Sequence, residues 1–212
     1  ERESQAESRT AEVKAVTYTV GSDFAGTVVS QKAKEGSTVK KGEPLLTIQS
    51  PTLAITKTRM PKSDSYRVAE HGVLTLMATQ AGTVEKLGVH TGGFVGAGTP
   101  IATIDRSGSL YVVAYFKLDP YDFSRVDKGA KVDLVLPNQQ ELSGEVSRIT
   151  VKTVGGKADA RVEVTSPELV NGTHDGLVTP GTPIQATLHL RPDGPLGGLK
   201  EAFVALLEKI GL

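Results

Sequence analysis

The chain contains no cysteine and no tryptophan, and aromatic residues make up only 5% of its 212 positions. Without cysteine there is no disulfide framework, no thiol nucleophile and no thiolate metal site. An oxidising compartment is compatible with that absence but not required by it. Charge of one sign is missing as well. The 24 basic and 24 acidic side chains cancel to a formal net charge of +0, so nothing in the balance draws the chain to nucleic acid or to an anionic membrane. No run of residues approaches the roughly 20 apolar positions of a membrane span. The first residue is Glu1 rather than Met, which leads us to expect a signal or anchor upstream of residue 1. Glycine, by contrast, is abundant at 23 residues, as befits short strands joined by tight turns.

The glycines are not scattered. "AGTVVSQKAKEGSTVKKGEPLLTI" (25–48) returns as "AGTVEKLGVHTGGFVGAGTPIATI" (81–104), gap-free and identical at ten of the twenty-four positions. Gly26 falls on Gly82, Gly36 on Gly92, Gly42 on Gly98 and Pro44 on Pro100. Two copies, not three or more, argue for two halves of one pseudo-symmetric domain rather than a solenoid. Within each copy, short apolar runs lie between glycines at hairpin spacing. These eight residues are read as repeated turn and strand-entry positions. Val39 and Val95 precede matched glycines and should point into one shared core.

Outside the repeats the pattern is also β. "ERESQAESRT" is polar and aperiodic and reads as a flexible leader over 1–12. "EVKAVTYTV" alternates and reads as one strand. The stretch between the halves, broken by Pro51 and Pro61, reads as an extended or β-like excursion without helix, with "PKSDS" at a solvated tip and Val73–Met77 resembling a strand. "SLYVVAYFKL", "KVDLVL", "ELSGEVSRITVKTV", "ARVEVTS" and "TPIQATLHL" are further strands, with one helical turn expected between Tyr121 and Val126. At the end, Leu199, Phe203, Leu206, Leu207 and Ile210 recur at helical spacing. This segment is either a cap on the preceding strands or a helix facing a membrane or partner.

No catalytic or metal constellation emerges. "TGGFVGAGTP" is rich in glycine, but a strand follows it where a phosphate loop needs a helix N-terminus, so Gly93 and Gly96 are read as turn residues. His71, His90, His174 and His189 are dispersed without ligand spacing. No serine lies in a nucleophile motif. Asp119 and Asp122 flank Pro120 and suit turn or helix capping. Catalytic, cofactor-binding and metal residues are therefore all expected to be none.

The paired G-x-V and G-x-x-V-x-x-G-x-P-L halves resemble the split lipoyl domain of membrane fusion proteins, the HlyD-like periplasmic adaptor subunits of efflux and secretion systems. "LTLMATQAGTV" resembles that family's re-entry into the second half, with Thr79 where proline is usual. "GSLYVVAYFKLDPYDFSRVDKGAKVDLVL" resembles the start of its β-barrel, and "LVTPGTPIQATLHL" the end. The resemblance implies a mainly β fold: a lipoyl-like barrel-sandwich hybrid over 13–105 with a short insertion at 49–80, a β-barrel over 106–190, and a C-terminal amphipathic helix over 191–212. It implies a non-catalytic, extracytoplasmic, membrane-anchored adaptor without the family's long helical hairpin. Its expected partners are an ABC or proton-driven exporter and further copies of itself in a ring, with no nucleic acid. The lipoyl fold raises one alternative, a lipoyl- or biotinyl-type carrier. That chemistry needs a lysine at the turn joining the halves, where this chain has Thr52, with Lys57 farther on and without the flanking pattern. A free-standing extracellular β-protein without a pump is the other alternative.

Overall fold

The computed structural model describes residues 5–56, 61–154 and 157–191. Its strands begin with β1 (Gln5–Glu7), β2 (Thr10–Lys14), β3 (Thr17–Gly21), β4 (Gly26–Gln31), β5 (Thr38–Val39) and β6 (Pro44–Gln49). A short helix α1 (Pro51–Ile55) is followed by β7 (Tyr66–Val68), a 3-10 turn (Glu70–Gly72), β8 (Val73–Met77), β9 (Gly82–Leu87), β10 (Phe94–Val95) and β11 (Pro100–Arg106). Then come β12 (Tyr111–Leu118), α2 (Pro120–Ser124), β13 (Lys131–Val135), β14 (Glu141–Val154), β15 (Lys157–Thr165) and β16 (Pro183–His189). Contacts divide the chain into two units, one of residues 15–110 and one made of the segments on either side.

The barrel unit orders its strands β1-β16-β13-β14-β15-β12-β2, and a further pairing of β16 with β2 closes the described strands into a six-stranded barrel with β1 appended. Alternation builds it. In β12, Val112, Ala114, Phe116 and Leu118 are buried, and Phe116 is among the largest fully enclosed side chains. Of the segment expected to be a flexible leader, Gln5–Glu7 and Thr10–Lys14 are strands. Thr10–Lys14 is a barrel strand because Ala11 and Val13 are buried while their neighbours face water, and Val13 lies opposite Val112. The single strand expected across Val13–Val20 is likewise two. β2 pairs with β12, with Lys14 opposite Tyr111, whereas β3 pairs with β11 in the other unit. Unbroken alternation hid the boundary, since a strand signal says nothing about which sheet receives it. The expected C-terminal helix lies outside the described residues.

The sandwich unit has two sheets, β10-β4-β6-β8-β7 and β3-β11-β9-β5. Shifting any of β3, β4, β5 and β6 by 56 positions gives β8, β9, β10 and β11, and each sheet draws two strands from each half. Between them lies one core that includes Val28, Val39, Leu45 and Ile48 from the first half and Val84, Val95, Ile101 and Ile104 from the second.

The stretch between the halves departs most from expectation. Pro51 does not break a helix but starts one: it occupies the first turn of α1, where its missing N–H is no loss. Ser50, fully buried, caps that helix by accepting from Leu53 N, and Leu53 packs into the core. β7 then adds a strand beside β8, with Tyr66 packed against the core. What reads as a solvated tip is thus partly built structure.

Candidate functional site

The repeated residues fall into two kinds. Gly36, Gly42, Gly92 and Gly98 occupy turns with φ of 82°, 80°, 88° and 76°, a region that favours glycine. Their backbone bonds are mirrored across the halves: Gly36 N donates to Val84 O and Gly92 N to Val28 O, while Gly42 N donates to Ala78 O and Gly98 N to Ser22 O. Gly26 and Gly82 are not turn residues. They open β4 and β9 where another strand passes too close for a side chain. A Cβ on Gly26 would stand 2.3 Å from Gln49 O, and one on Gly82 2.2 Å from Asp105 O. Pro44 and Pro100 are the first residues of β6 and β11, the strand position that tolerates a missing N–H.

The two halves join at Ser50–Gly72. Gly72, with φ of 78°, is held against α1 so closely that a Cβ would meet Ser50 O at 2.4 Å and Ala54 N at 2.5 Å. His71 beside it is also left-handed, at φ 61°, and its carbonyl accepts from Gln49 Nε2 at 2.6 Å. Thr52 lies exposed on α1, and its carbonyl accepts from Thr56 Oγ1. No amine stands on this helix where a swinging cofactor would be attached.

Elsewhere the polar groups serve structure. Asp119 caps α2 by accepting from Asp122 N at 2.7 Å. His189 Nε2 meets Asp133 Oδ2 at 2.6 Å on the barrel surface, and its other ring nitrogen lies 3.5 Å from Gln5. His174 pairs with Gln140, and the His90 carbonyl accepts from Gly93 in a turn. Among the described residues no three His, Asp or Glu side chains converge as a metal site would require.

Two buried charged residues escape any sequence reading. Arg125, 5% exposed, donates through Nε to the Arg191 carbonyl, pairs with Asp122 and lies over the Tyr121 ring. Asp105, next to last in β11, is 7% exposed, and its Oδ1 has no hydrogen-bond partner. Burial pushes its carboxyl above the ordinary carboxylate range, and the charge of Glu85 pushes the same way. Alternation alone marks Asp105 as a face residue, and nothing local shows that the face is covered.

The outward faces of the two sheets are matched in geometry but not in chemistry. On β3-β11-β9-β5 stand the exposed Glu85 and Lys86 among threonines, while Asp105 on the same sheet is buried. Positions shifted by 56 residues on β8-β6-β4-β10 carry Val29, Ser30 and Gln49, and Phe94 replaces Thr38. The hydroxyls of Thr47 and Thr75 meet across this second face at 3.4 Å.

Residues 19–105 match the family model of the CusB barrel-sandwich hybrid domain. No curated protein gives a significant match. Among solved structures, ZneB from Cupriavidus metallidurans aligns with a TM-score of 0.65 at 16% identity, over 87% of this chain and 98% of that one. The periplasmic adaptor protein EmrA aligns at 0.57 and 12% identity, over 90% and 100% respectively. The membrane fusion protein Spr0693 from Streptococcus pneumoniae R6 aligns at 0.54 and 13% identity, over 89% and 99%. Residues 19–105 are therefore similar to the CusB barrel-sandwich hybrid domain, and the chain shares its fold with these solved adaptor and membrane fusion protein structures.

Proposed function

We propose that the chain is a non-catalytic adaptor that works outside the cytoplasmic membrane and couples to a membrane exporter. The observation that carries this reading is the pairing of a CusB-type sandwich with a closed barrel along nearly the full length of adaptor structures. The residues fit a scaffold. Turn glycines, strand-entry prolines and a capped crossover helix fix shape, and the crossover carries Thr52 where a carrier would need its lysine. Coupling then proceeds by contact between folded surfaces rather than by bond chemistry. Among the described residues no helix is long and apolar enough to cross a membrane.

The test is a strain lacking the gene, challenged with a panel of drugs, metal ions, peptides and lipids. At least one substrate should accumulate several-fold, and the plasmid-borne gene should restore its export. Normal export of every substrate overturns the proposal. Co-expression with lipoyl and biotin ligases, followed by intact-mass measurement, should give the unmodified mass, whereas a lipoyl or biotinyl adduct would make the protein a carrier.

A further inference from the structure

We propose that the free edge of β3 docks an extended segment of a partner protein, which adds there as an antiparallel strand with a basic residue ahead of an apolar one. Pseudo-symmetry marks the site. Under the 56-residue shift β3 becomes β8, and their ladders agree pair by pair. Thr17, Thr19 and Gly21 lie opposite Asp105, Thr103 and Pro100, just as Val73, Thr75 and Met77 lie opposite Gln49, Thr47 and Pro44. Even the bulge recurs, after Pro100 and after Pro44. Only one of the two edges is closed. β7 runs along β8, whereas β3 ends its sheet.

β7 shows what such an edge accepts. Its Tyr66, Arg67 and Val68 lie opposite Leu76, Thr75 and Leu74. Ser65 O accepts from Met77 N and Ala69 N donates to Val73 O, each at 2.8 Å. The matched groups on β3 are the Gly21 N–H, the N–H and C=O of Thr19, and the Thr17 C=O. They point away from β11, because Arg106 N donates to Val16 O and antiparallel pairs exchange their bonds at every second residue. Thr17, Thr19 and Gly21 are exposed, whereas Val73 and Thr75 are half-buried and Met77 is buried. β3 also carries neither the lysine nor the proline that blunts an open edge.

A cleft of about 290 Å³ beside this edge sets the occupant's side chains. Val20 and Phe24 line it from the β3 side, and Tyr66, Leu74 and Leu76 from the β7–β8 side, all of them in the core or packed against it. The inward side chain of an added strand stands opposite Val20, as Tyr66 stands opposite Leu76, and an apolar or aromatic residue suits that lining. Asp23 is the one charged residue among those lining the cleft, exposed and without an ion pair among the described residues. Antiparallel addition carries the N-terminal end of the new strand past Gly21 toward Asp23, as Ser65 lies beside Met77. A cation there answers the carboxylate, so the basic residue precedes the apolar one.

Strand addition of this kind draws affinity from main-chain hydrogen bonds and specificity from alternate side chains. The contact is short, about four backbone bonds and one or two side chains, so the dissociation constant is on the order of 100 μM. A partner held close by other contacts raises the effective concentration toward the millimolar range and fills the edge. The inference does not rest on the adaptor reading, and its failure leaves that reading untouched.

The probe is an end-blocked synthetic peptide of residues 63–69 carrying Asp64→Lys, which keeps the Tyr-Arg-Val of β7 and adds the cation. It is titrated into the full chain to about 2 mM, well above the expected dissociation constant, and followed by amide NMR. Shifts should centre on Thr17–Phe24, and exchange of the Thr19 and Gly21 amides should slow about tenfold. The same peptide with Arg67→Pro, which lacks the central donor, should bind at least tenfold more weakly. The peptide that keeps Asp64 should bind at least threefold more weakly, and Asp23→Asn in the chain should erase that difference. Thr19→Pro in the chain removes only an outward donor and should abolish binding while keeping the melting temperature within a few degrees. No shift at 2 mM overturns the proposal, as do shifts at Val73–Met77 instead, which mean that the peptide merely replaces β7. Thr19 and Gly21 amides already protected without peptide, or a chain that dimerises through β3 in sedimentation velocity, give the edge to another segment of this chain or to a second copy and overturn it too.

Discussion

The two halves of the sandwich follow one plan for twenty-four residues and then part at a single position. At the end of the first half, Gln49 finds the His71 carbonyl and the chain turns into the capped helix α1. At the end of the second half, the matched Asp105 is buried with an oxygen that finds nothing. The repeated residues are those the backbone itself demands: a glycine where strands cross, a left-handed turn, a proline at a strand entry. The residues that diverge sit where the fold has no opinion, and they set how each half meets its surroundings.

The comparison can be broken most violently at the crossings. Gly26→Val and Gly82→Val should each cost on the order of 4 kcal/mol or more, because the added carbons collide with main-chain carbonyls that cannot move aside. Chemical denaturation or loss of soluble protein reads this, and a benign outcome at only one position would show that the halves are not equivalent there. Val39→Ala and Val95→Ala test equivalence more finely. They are 2% and 1% exposed in one core, so each should lose about 1–3 kcal/mol and the two losses should agree within about 0.5 kcal/mol.

Gly36→Ala and Gly92→Ala should cost less, about 1 kcal/mol each. Both have positive φ, yet nothing lies within 4 Å of the added carbon, so only backbone strain is at work. Asp105→Asn should have the smallest effect and the opposite sign. The folded carboxyl titrates above its unfolded value of 3.8, so folding favours the protonated form. The parent chain is then most stable, relative to the variant, at low pH. That advantage falls as pH rises from the unfolded pKa through the folded one, and stays lost above it. Melting curves from pH 3 to 8 should therefore show Asp105→Asn gaining on the parent as pH rises, whereas Gln49→Glu at the matched position should lose. A parallel pH profile for parent and Asp105→Asn would mean that the carboxyl is solvated.

The sandwich was legible in the sequence because its turns need particular residues, and glycine and proline print those needs at fixed spacing. Barrel strands were legible through alternation, as in Val112–Leu118. Four things were not legible. The first residues of Thr10–Lys14 looked like the end of a leader because a barrel strand with one wet face needs only two apolar residues, Ala11 and Val13. The α1 helix was too short for periodicity, and its Pro51, a good first-turn residue, read as a breaker. Gly26 and Gly82 were placed in turns because the sequence records that a side chain is unwelcome, not whether φ or a neighbouring strand forbids it. Asp105 and Arg125 owe their burial to residues far away in the chain, and no local pattern reports that.

Lys14 and Tyr111 stand opposite one another on adjacent barrel strands, although ninety-six residues separate them in the chain. Two antiparallel neighbours so placed are the stems of a hairpin, and a two-residue turn is enough to join such stems. The whole sandwich thus occupies the place of a hairpin turn, as a cassette spliced into a loop. A gene with residues 15–110 replaced by Asn-Gly would encode an uninterrupted barrel, whose ladder between β2 and β12 needs no new contact to close. Seen genetically, the barrel is the host and the repeat domain its guest. Duplication within the guest could proceed without disturbing a single hydrogen bond of the host.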